Sequence, residues 1–178
     1  LGMLADQGAQ HPLILDTFEQ ASDALGYDLW ALTQQGPAEL LNQTDKTQPA
    51  ILTASIALWH VWLAEGGAVP AFVAGHSLGE YSALVAAQSL SLADAVKLVE
   101  RRGQLMQEAV PAGQGGMAAI LGLDDADVIA ACAEAAQGDV VSAVNFNSPG
   151  QVVIAGAAEA VKRAMELCKA RGAKRALP

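Results

Sequence analysis

The stretch that most constrains this chain is Gly75-His76-Ser77-Leu78-Gly79-Glu80, which follows the apolar run Ala71-Phe72-Val73-Ala74 and leads into a helix-forming run over 81–87. A short buried strand that breaks at glycine, presents one serine and enters a helix past a second glycine has the layout of a nucleophile elbow. The turn from strand to helix is strained and tight, so Gly75 and Gly79 are expected to remove Cβ atoms that would crowd it. The Ser77 hydroxyl then points out of the sheet. The first free N–H groups of the following helix, that of Leu78 above all, are placed to donate to a developing oxyanion, with the helix dipole assisting.

The rest of the composition bounds what can surround such an elbow. With 178 residues, 52% of them hydrophobic and only 4% aromatic, the chain is rich in the small aliphatic residues of helices packed on a sheet. No uncharged apolar run reaches the roughly 18 residues of a membrane span. Cys132 and Cys168 fall in helix-like segments without metal spacing and read as two buried small side chains. No metal or cofactor is expected, and a reducing cytoplasm suits this cysteine usage. No secretory signal pattern is read, and Leu1 in place of Met leads to the expectation that sequence has been lost upstream.

Charge is unevenly spread. Of ten basic residues, Lys162, Arg163, Lys169, Arg171, Lys174 and Arg175 fall in 162–178 beside a single acid, Glu166, so that stretch carries +5 while positions 1–161 carry −14. An overall charge of −9 argues against nucleic acid as a partner. The basic end is either a solvated helix face, with cations favoured near a helix C-terminus, or an attractor for an acidic partner.

Helical spacing of Leu15, Phe18, Ala21, Ala24 and Leu25 predicts a first helix over 11–25, stopped by Gly26. Two short helices are expected over 28–32 and 37–41. Thr47 is a candidate N-cap, with Pro49 in the first turn of a helix reaching about Glu65 that is apolar nearly all round and should be central. Ser91 is a candidate N-cap for a helix over 92–110. On it, Ala95, Leu98, Val99, Arg102, Leu105 and Met106 share one stripe, which places Arg102 as a cation on the apolar side. Such a guanidinium requires a carboxylate, because an unpaired buried charge costs about 3–5 kcal/mol. Glu80 is the internal candidate and a ligand's carboxylate the external one.

A Gly-rich linker over 111–116 marks a candidate boundary between parts 1–112 and 116–178. Beyond it the pattern reads strand 117–123, helix 125–136, strand 140–147, tight turn 148–150, strand 151–155, helix 158–170, strand 173–177, the ferredoxin-like order. Asn145 and Asn147 alternate with Val144 and Phe146 and are expected to share a strand face near the hairpin. A serine nucleophile needs a base within reach. His11 and His60 lie in helices, and His76 leaves the strand on the side opposite Ser77, so none of the three is convincing.

Four segments in order, TQPAILTAS, GHSLGEYSALVAA, RRGQLMQEAVP and NFNSPGQVVIAG, closely resemble the malonyl-CoA:acyl carrier protein transacylases of bacterial fatty acid synthesis, and the likeness runs through all 178 residues. The resemblance implies an α/β fold, in which a partial α/β-hydrolase-like large subdomain with the elbow (1–112) carries an inserted ferredoxin-like small subdomain (116–178). It implies that Ser77 attacks the malonyl thioester of malonyl-CoA and holds the acyl group as an ester. Leu78 N–H would supply half of the oxyanion hole, and Arg102 would grip the malonyl carboxylate. Gln48, Met106, Asn145 and Asn147 would line the pocket or steady its loops. Transfer would then pass to the phosphopantetheine thiol of acyl carrier protein, an acidic partner for which the six basic residues of 162–178 become a docking candidate.

In that family an oxyanion-hole glutamine follows an N-terminal strand, and the general-base histidine lies just beyond the last small-subdomain strand. Gln7 has no preceding strand and receives no role. A chain spanning Leu1 to Pro178 would lack the base and expose its sheet, and is expected by itself to transfer little. Two other readings stay open: a serine esterase or thioesterase using the same elbow, and a non-catalytic module that binds the carrier.

Overall fold

A computed structural model describes residues 1–110 and 113–178. Two units are distinguished, Leu1–Ala109 and Val110–Pro178. Two residues of the expected linker, at 111 and 112, lie outside the described residues, and two others, Gly115 and Gly116, already belong to a strand.

Among its described residues the first unit is helical: α1 (Ala5–Gln10), α2 (Pro12–Leu25), α3 (Leu29–Gln35), α4 (Ala38–Leu41), α5 (Thr44–Ala64), α6 (Leu78–Ala86) and α7 (Leu92–Ala109). Pro12 opens α2 at a position where no intrahelical N–H is needed, and Gly26 closes it at φ 80°. The buried stripe of α2 is Ile14, Thr17, Phe18 and Ala21, and Phe18 meets the Trp30 ring edge-on at 5.0 Å. Asp28 caps α3 by accepting from Ala31 N at 2.7 Å.

The helix expected to start at Thr47 starts one turn earlier. Thr47 Oγ1 instead donates to the carbonyls of Leu41 and Gln43, and Pro49 sits inside α5, leaving the Asp45 carbonyl without its usual donor. α5 is less enclosed than its composition suggests. Leu52, Ile56 and Ala57 are buried, packing with α2 and α7, whereas Ile51, Leu58 and Trp62 are each about half exposed. Ser91 caps α7, its hydroxyl accepting from Asp94 N at 3.0 Å and donating to the Asp94 carboxylate at 2.6 Å.

The expected buried strand over 71–74 is not formed. No strand among the described residues of this unit offers it a ladder, and a strand without a partner leaves its backbone groups to solvent. Phe72 is accordingly 93% exposed.

The second unit runs β1 (Gly115–Leu121), α8 (Asp125–Ala136), β2 (Val141–Ser148), β3 (Gln151–Ala157), α9 (Ala158–Ala170), β4 (Arg175–Leu177). Its four strands lie in the order β2-β3-β1-β4, and every neighbouring pair is antiparallel. The chain is therefore a mixed α/β protein with a small antiparallel sheet. Ile120, Val152 and Ile154 form a core with Val128, Ala131, Val161 and Ala164 of the two helices. Cys132 and Cys168 are free and buried there, and burial pushes the Cys132 thiol up to about 11.

The alternation expected of Asn145 and Asn147 fails for a local reason. β2 slips against β3 between Ala143 and Asn145 and again between Phe146 and Ser148. A bulge adds a residue to one strand and breaks the period of two that places alternate side chains together. Asn145 pairs with Val153, and Asn147 falls inside the second irregularity.

Candidate active site

Ser77 lies immediately before α6 at φ 54° and ψ −113°, a left-handed conformation that a non-glycine residue adopts only where its surroundings enforce it. Gly75 shows the enforcement. A Cβ built on it would fall inside van der Waals contact of the Gly79 carbonyl carbon and oxygen. Gly79 is different, for a Cβ there meets nothing within 4 Å. The turn therefore needs one of the two glycines for space, a correction to the expectation that both relieve crowding.

The turn closes through Gly79 N donating to His76 O at 2.9 Å and Glu80 N donating to Ser77 O at 3.2 Å. Among the described residues the Leu78 N–H has no acceptor. It is the orphan donor expected at the first position of a helix, one peptide from the serine hydroxyl.

Arg102 reaches this hydroxyl from α7. Its Nη2 donates to Ser77 Oγ at 2.9 Å, its Nη1 donates to Gln48 Oε1 at 2.6 Å, and its guanidinium carbon stands 5.9 Å from the Tyr81 ring centre. Gln48, 5% exposed on α5, turns its amide nitrogen toward Met106 Sδ at 3.6 Å and Thr44 Oγ1 at 3.5 Å. Four of the expected site residues, Ser77, Arg102, Gln48 and Met106, are thus joined in one hydrogen-bonded chain.

Glu80 is not the partner of Arg102. Among the described residues no carboxylate lies within salt-bridge distance of that guanidinium, and Glu80 is exposed. The expected stripe on α7 is also rotated. Ala95, Val96, Val99 and Gly103 are the buried face, while Leu98, Leu105 and Met106 are about half exposed and, with Tyr81, Arg101 and Arg102, line a groove of about 420 Å³. Arg102 is among them, a half-buried cation whose two hydrogen-bond acceptors, Gln48 Oε1 and Ser77 Oγ, are both neutral. This is an arrangement that attracts an anion.

None of the three histidines bonds Ser77. His60 Nδ1 lies 2.9 Å from Thr17 Oγ1, which donates to Leu13 O, so the imidazole supplies the proton. Burial holds the His60 pKa below its ordinary value. His11 faces Glu65 at 3.8 Å, and His76 is exposed. Asn145 and Asn147 belong to the second unit and make no side-chain hydrogen bond among the described residues. A cleft of about 680 Å³ between α2 and α3 contains Ser22, whose hydroxyl is taken up by Phe18 O and Leu29 N.

The residues that sequence reasoning missed stand beside Gln48. Lys46 Nζ lies 2.6 Å from Glu100 Oε1 and 4.4 Å over the Tyr27 ring, and Tyr27 OH donates to the same carboxylate oxygen at 3.1 Å. Burial together with Glu100 pushes the Tyr27 phenol well above its usual range. The signal that could have found them is Gly103, a helix-interior glycine with no turn to explain it.

A model of the acyl transferase domain matches residues 7–177. The chain belongs to the acyl transferase domain family. This acyl transferase domain is 68% identical over 178 residues to the malonyl CoA-acyl carrier protein transacylase of Salmonella typhimurium, covering all of this chain and 58% of that protein. The chain thus spans a little over half the length of such relatives. Among solved structures it matches a malonyl-transacylase in complex with its type II PKS acyl-carrier protein, with TM-score 0.97 and 62% identity over 100% of this chain and 58% of the other. The acyl carrier protein S-malonyltransferase of Vibrio cholerae matches with TM-score 0.94 and 63% identity, again over 100% and 58%.

Proposed function

We propose that this acyl transferase domain serves malonyl transfer from coenzyme A to acyl carrier protein in fatty acid synthesis. The observation that carries the reading is the Arg102 guanidinium 2.9 Å from Ser77 Oγ, with no carboxylate of the described residues to neutralise it. In a malonyl ester the free carboxylate carbon is two C–C bonds from the acyl carbonyl carbon, about 2.5 Å away. A cation that touches the serine oxygen therefore also spans the distance to that carboxylate. Acetyl has nothing to offer it.

In the first half-reaction Ser77 Oγ attacks the thioester carbonyl, Leu78 N–H stabilises the tetrahedral oxyanion, and the C–S bond breaks to release coenzyme A as thiol. Arg102 turns its Nη2 edge from Ser77 to the malonyl carboxylate while Gln48 holds Nη1, and Met106 closes the pocket beside Gln48. In the second half the phosphopantetheine thiol attacks the ester and the serine leaves. The proton acceptor for Ser77 is not among the three histidines described. Asn145 and Asn147, both on β2, are assigned to lining the pocket or steadying its loops on the grounds of the resemblance alone.

The finer architecture follows the same reading: an α/β-hydrolase-like part over 1–112 and a ferredoxin-like part over 116–178, the latter supported by the strand order β2-β3-β1-β4. The carrier docks on the basic end, and the ion pairs narrow the surface. Lys162, Arg163, Lys169 and Arg171 are engaged by Glu159, Asp139, Glu166 and Glu134, whereas Lys174 and Arg175 are exposed and have no acidic partner among the described residues.

The deciding experiment is intact-mass and peptide mass spectrometry of the full-length protein after incubation with malonyl-CoA. A malonyl adduct on Ser77 that discharges onto carrier thiol is expected. An unmodified serine, or hydrolysis in place of discharge, would reject the assignment.

A further inference from the structure

Three contacts between α5 and α7 fan out from one point. At Gly103 the two backbones meet without side chains between them. A Cβ there would overlap the Asp45 Cα and sit 2.6 Å from Asp45 N and 2.8 Å from Thr44 O. One residue before Gly103, Arg102 is held by Gln48, and three residues before it, Glu100 is held by Lys46. Glu100 and Arg102 are two positions apart and so leave α7 on different faces. The Lys46–Glu100 bridge and the Gln48–Arg102 bond therefore grip α5 from two sides of a bare backbone contact.

The apolar packing of α5 against α7 sets their approach but, being non-directional, leaves a helix some freedom to roll about its axis. Two divergent links remove that freedom, and the angle they fix is the one that presents Gln48 Oε1 to the guanidinium. We infer that Lys46, Glu100 and Tyr27 are positioning residues for acyl selection, setting through α5 and Gln48 the orientation in which Arg102 meets a carboxylate. The inference rests on the malonyl-transfer reading for its substrate but not for its geometry.

The electrostatics favour geometry over stability as the role of this cluster. Lys46 serves two carboxylates, Glu100 at 2.6 Å and Asp45 at 3.6 Å, and the three side chains are only 15–19% exposed. One oxygen of Asp45 is buried with no hydrogen-bond partner. A partly dehydrated cluster with one carboxylate in excess is a poor source of stability, because desolvation offsets the attraction, but it holds its members in one arrangement. Tyr27 adds to this by donating to the oxygen that Lys46 reaches while its ring lies beneath the ammonium.

Glu100→Gln is the cleaner test, since it leaves Lys46 paired with Asp45. Lys46→Met strands two carboxylates and endangers folding. In the full-length protein, Ser77 loading from malonyl-CoA and from acetyl-CoA is compared for wild type, Glu100→Gln, Tyr27→Phe and Lys46→Arg. Glu100→Gln is expected to lower the malonyl-to-acetyl loading ratio by about tenfold, Tyr27→Phe by less, and Lys46→Arg to keep the wild-type ratio. Equal loss of both loadings, or an unchanged ratio, overturns the inference.

A second measurement needs no substrate. Exchange of the Arg102 guanidinium protons, followed by nitrogen-15 NMR, should quicken in Glu100→Gln, and exchange as slow as in wild type overturns the inference by itself. Wild type that takes up no malonyl rejects the proposed function and leaves this readout to decide on the clamp.

Discussion

Arg102 Nη2 donates to Ser77 Oγ at 2.9 Å, joining α7 to the elbow across 25 positions of sequence. The bond places a fixed positive charge next to the attacking oxygen and gives that charge no carboxylate of its own. In the malonyl-transfer reading, a diacid acyl group would complete the pair.

Removing the guanidinium should therefore change what is loaded more than whether anything is. Arg102→Ala is expected to slow malonyl loading of Ser77 by about a hundredfold, corresponding to one or two charged hydrogen bonds, while acetyl loading changes only several-fold. Arg102→Lys should recover little of the loss because an ammonium lacks the paired fork. Time courses of adduct mass with the two thioesters decide the matter. Parallel loss in both would make Arg102 a prop for the elbow.

The two glycines of the elbow should respond oppositely. Gly75→Ala pushes a methyl into the Gly79 carbonyl and should abolish loading and cost about 2–3 kcal/mol or more of stability. Gly79→Ala meets open space inside a helix, where alanine is favoured by about 1 kcal/mol. Urea titration of the two variants, read with Ser77 labelling, separates them. Comparable damage from Gly79→Ala would refute the steric account.

His60 makes stability depend on acidity. Burial lowers its folded pKa below the ordinary 6.5, so in mild acid the unfolded chain binds a proton that the folded chain refuses. Its contribution is complete above the unfolded value and is lost as pH falls from there through the folded one. Urea midpoints measured between about pH 7.5 and 5.5 should decline more steeply in wild type than in His60→Gln. Identical slopes would show that His60 carries none of the effect.

Carrier docking should depend on the two unengaged cations. Lys174→Glu with Arg175→Glu is expected to raise the KM for carrier about tenfold, with a weakened salt dependence, and to leave loading from malonyl-CoA intact. Lys162→Ala and Lys169→Ala, whose ammonium groups are already paired with glutamates, serve as controls. If they weaken transfer as much, docking is a matter of net charge.

What could be seen in the sequence divides by distance along the chain. The elbow, the Ser91 cap and the order of elements in the second unit are set by residues within a few positions of one another and are legible in the sequence, whereas Asp28, expected inside a helix over 28–32, proves to be its cap. Glu80 was matched to Arg102 because periodicity ranks neighbours on nearby helices, whereas the true partners, Gln48 and Ser77, are brought in by the α5–α7 packing around Gly103. Composition predicted a buried strand at 71–74, but a strand exists only with a ladder beside it, which no local pattern reports. The Asn145–Asn147 alternation is interrupted by two register shifts of one residue each, which the alternating pattern of Val144, Asn145, Phe146 and Asn147 does not announce.

The closure of the elbow by consecutive peptides has an outcome for how this chemistry can be altered. Hydroxyl, candidate oxyanion donor and helix start are covalently adjacent, so the position of Ser77 is inherited from backbone torsions, and the groove lined by Leu98, Leu105 and Met106 touches its hydroxyl through Arg102. Trigger and filter come from separate helices and meet at one hydrogen bond. In the malonyl-transfer reading, the apolar wall of the groove could be recarved for a bulkier cargo while Arg102 keeps its bond to the serine hydroxyl.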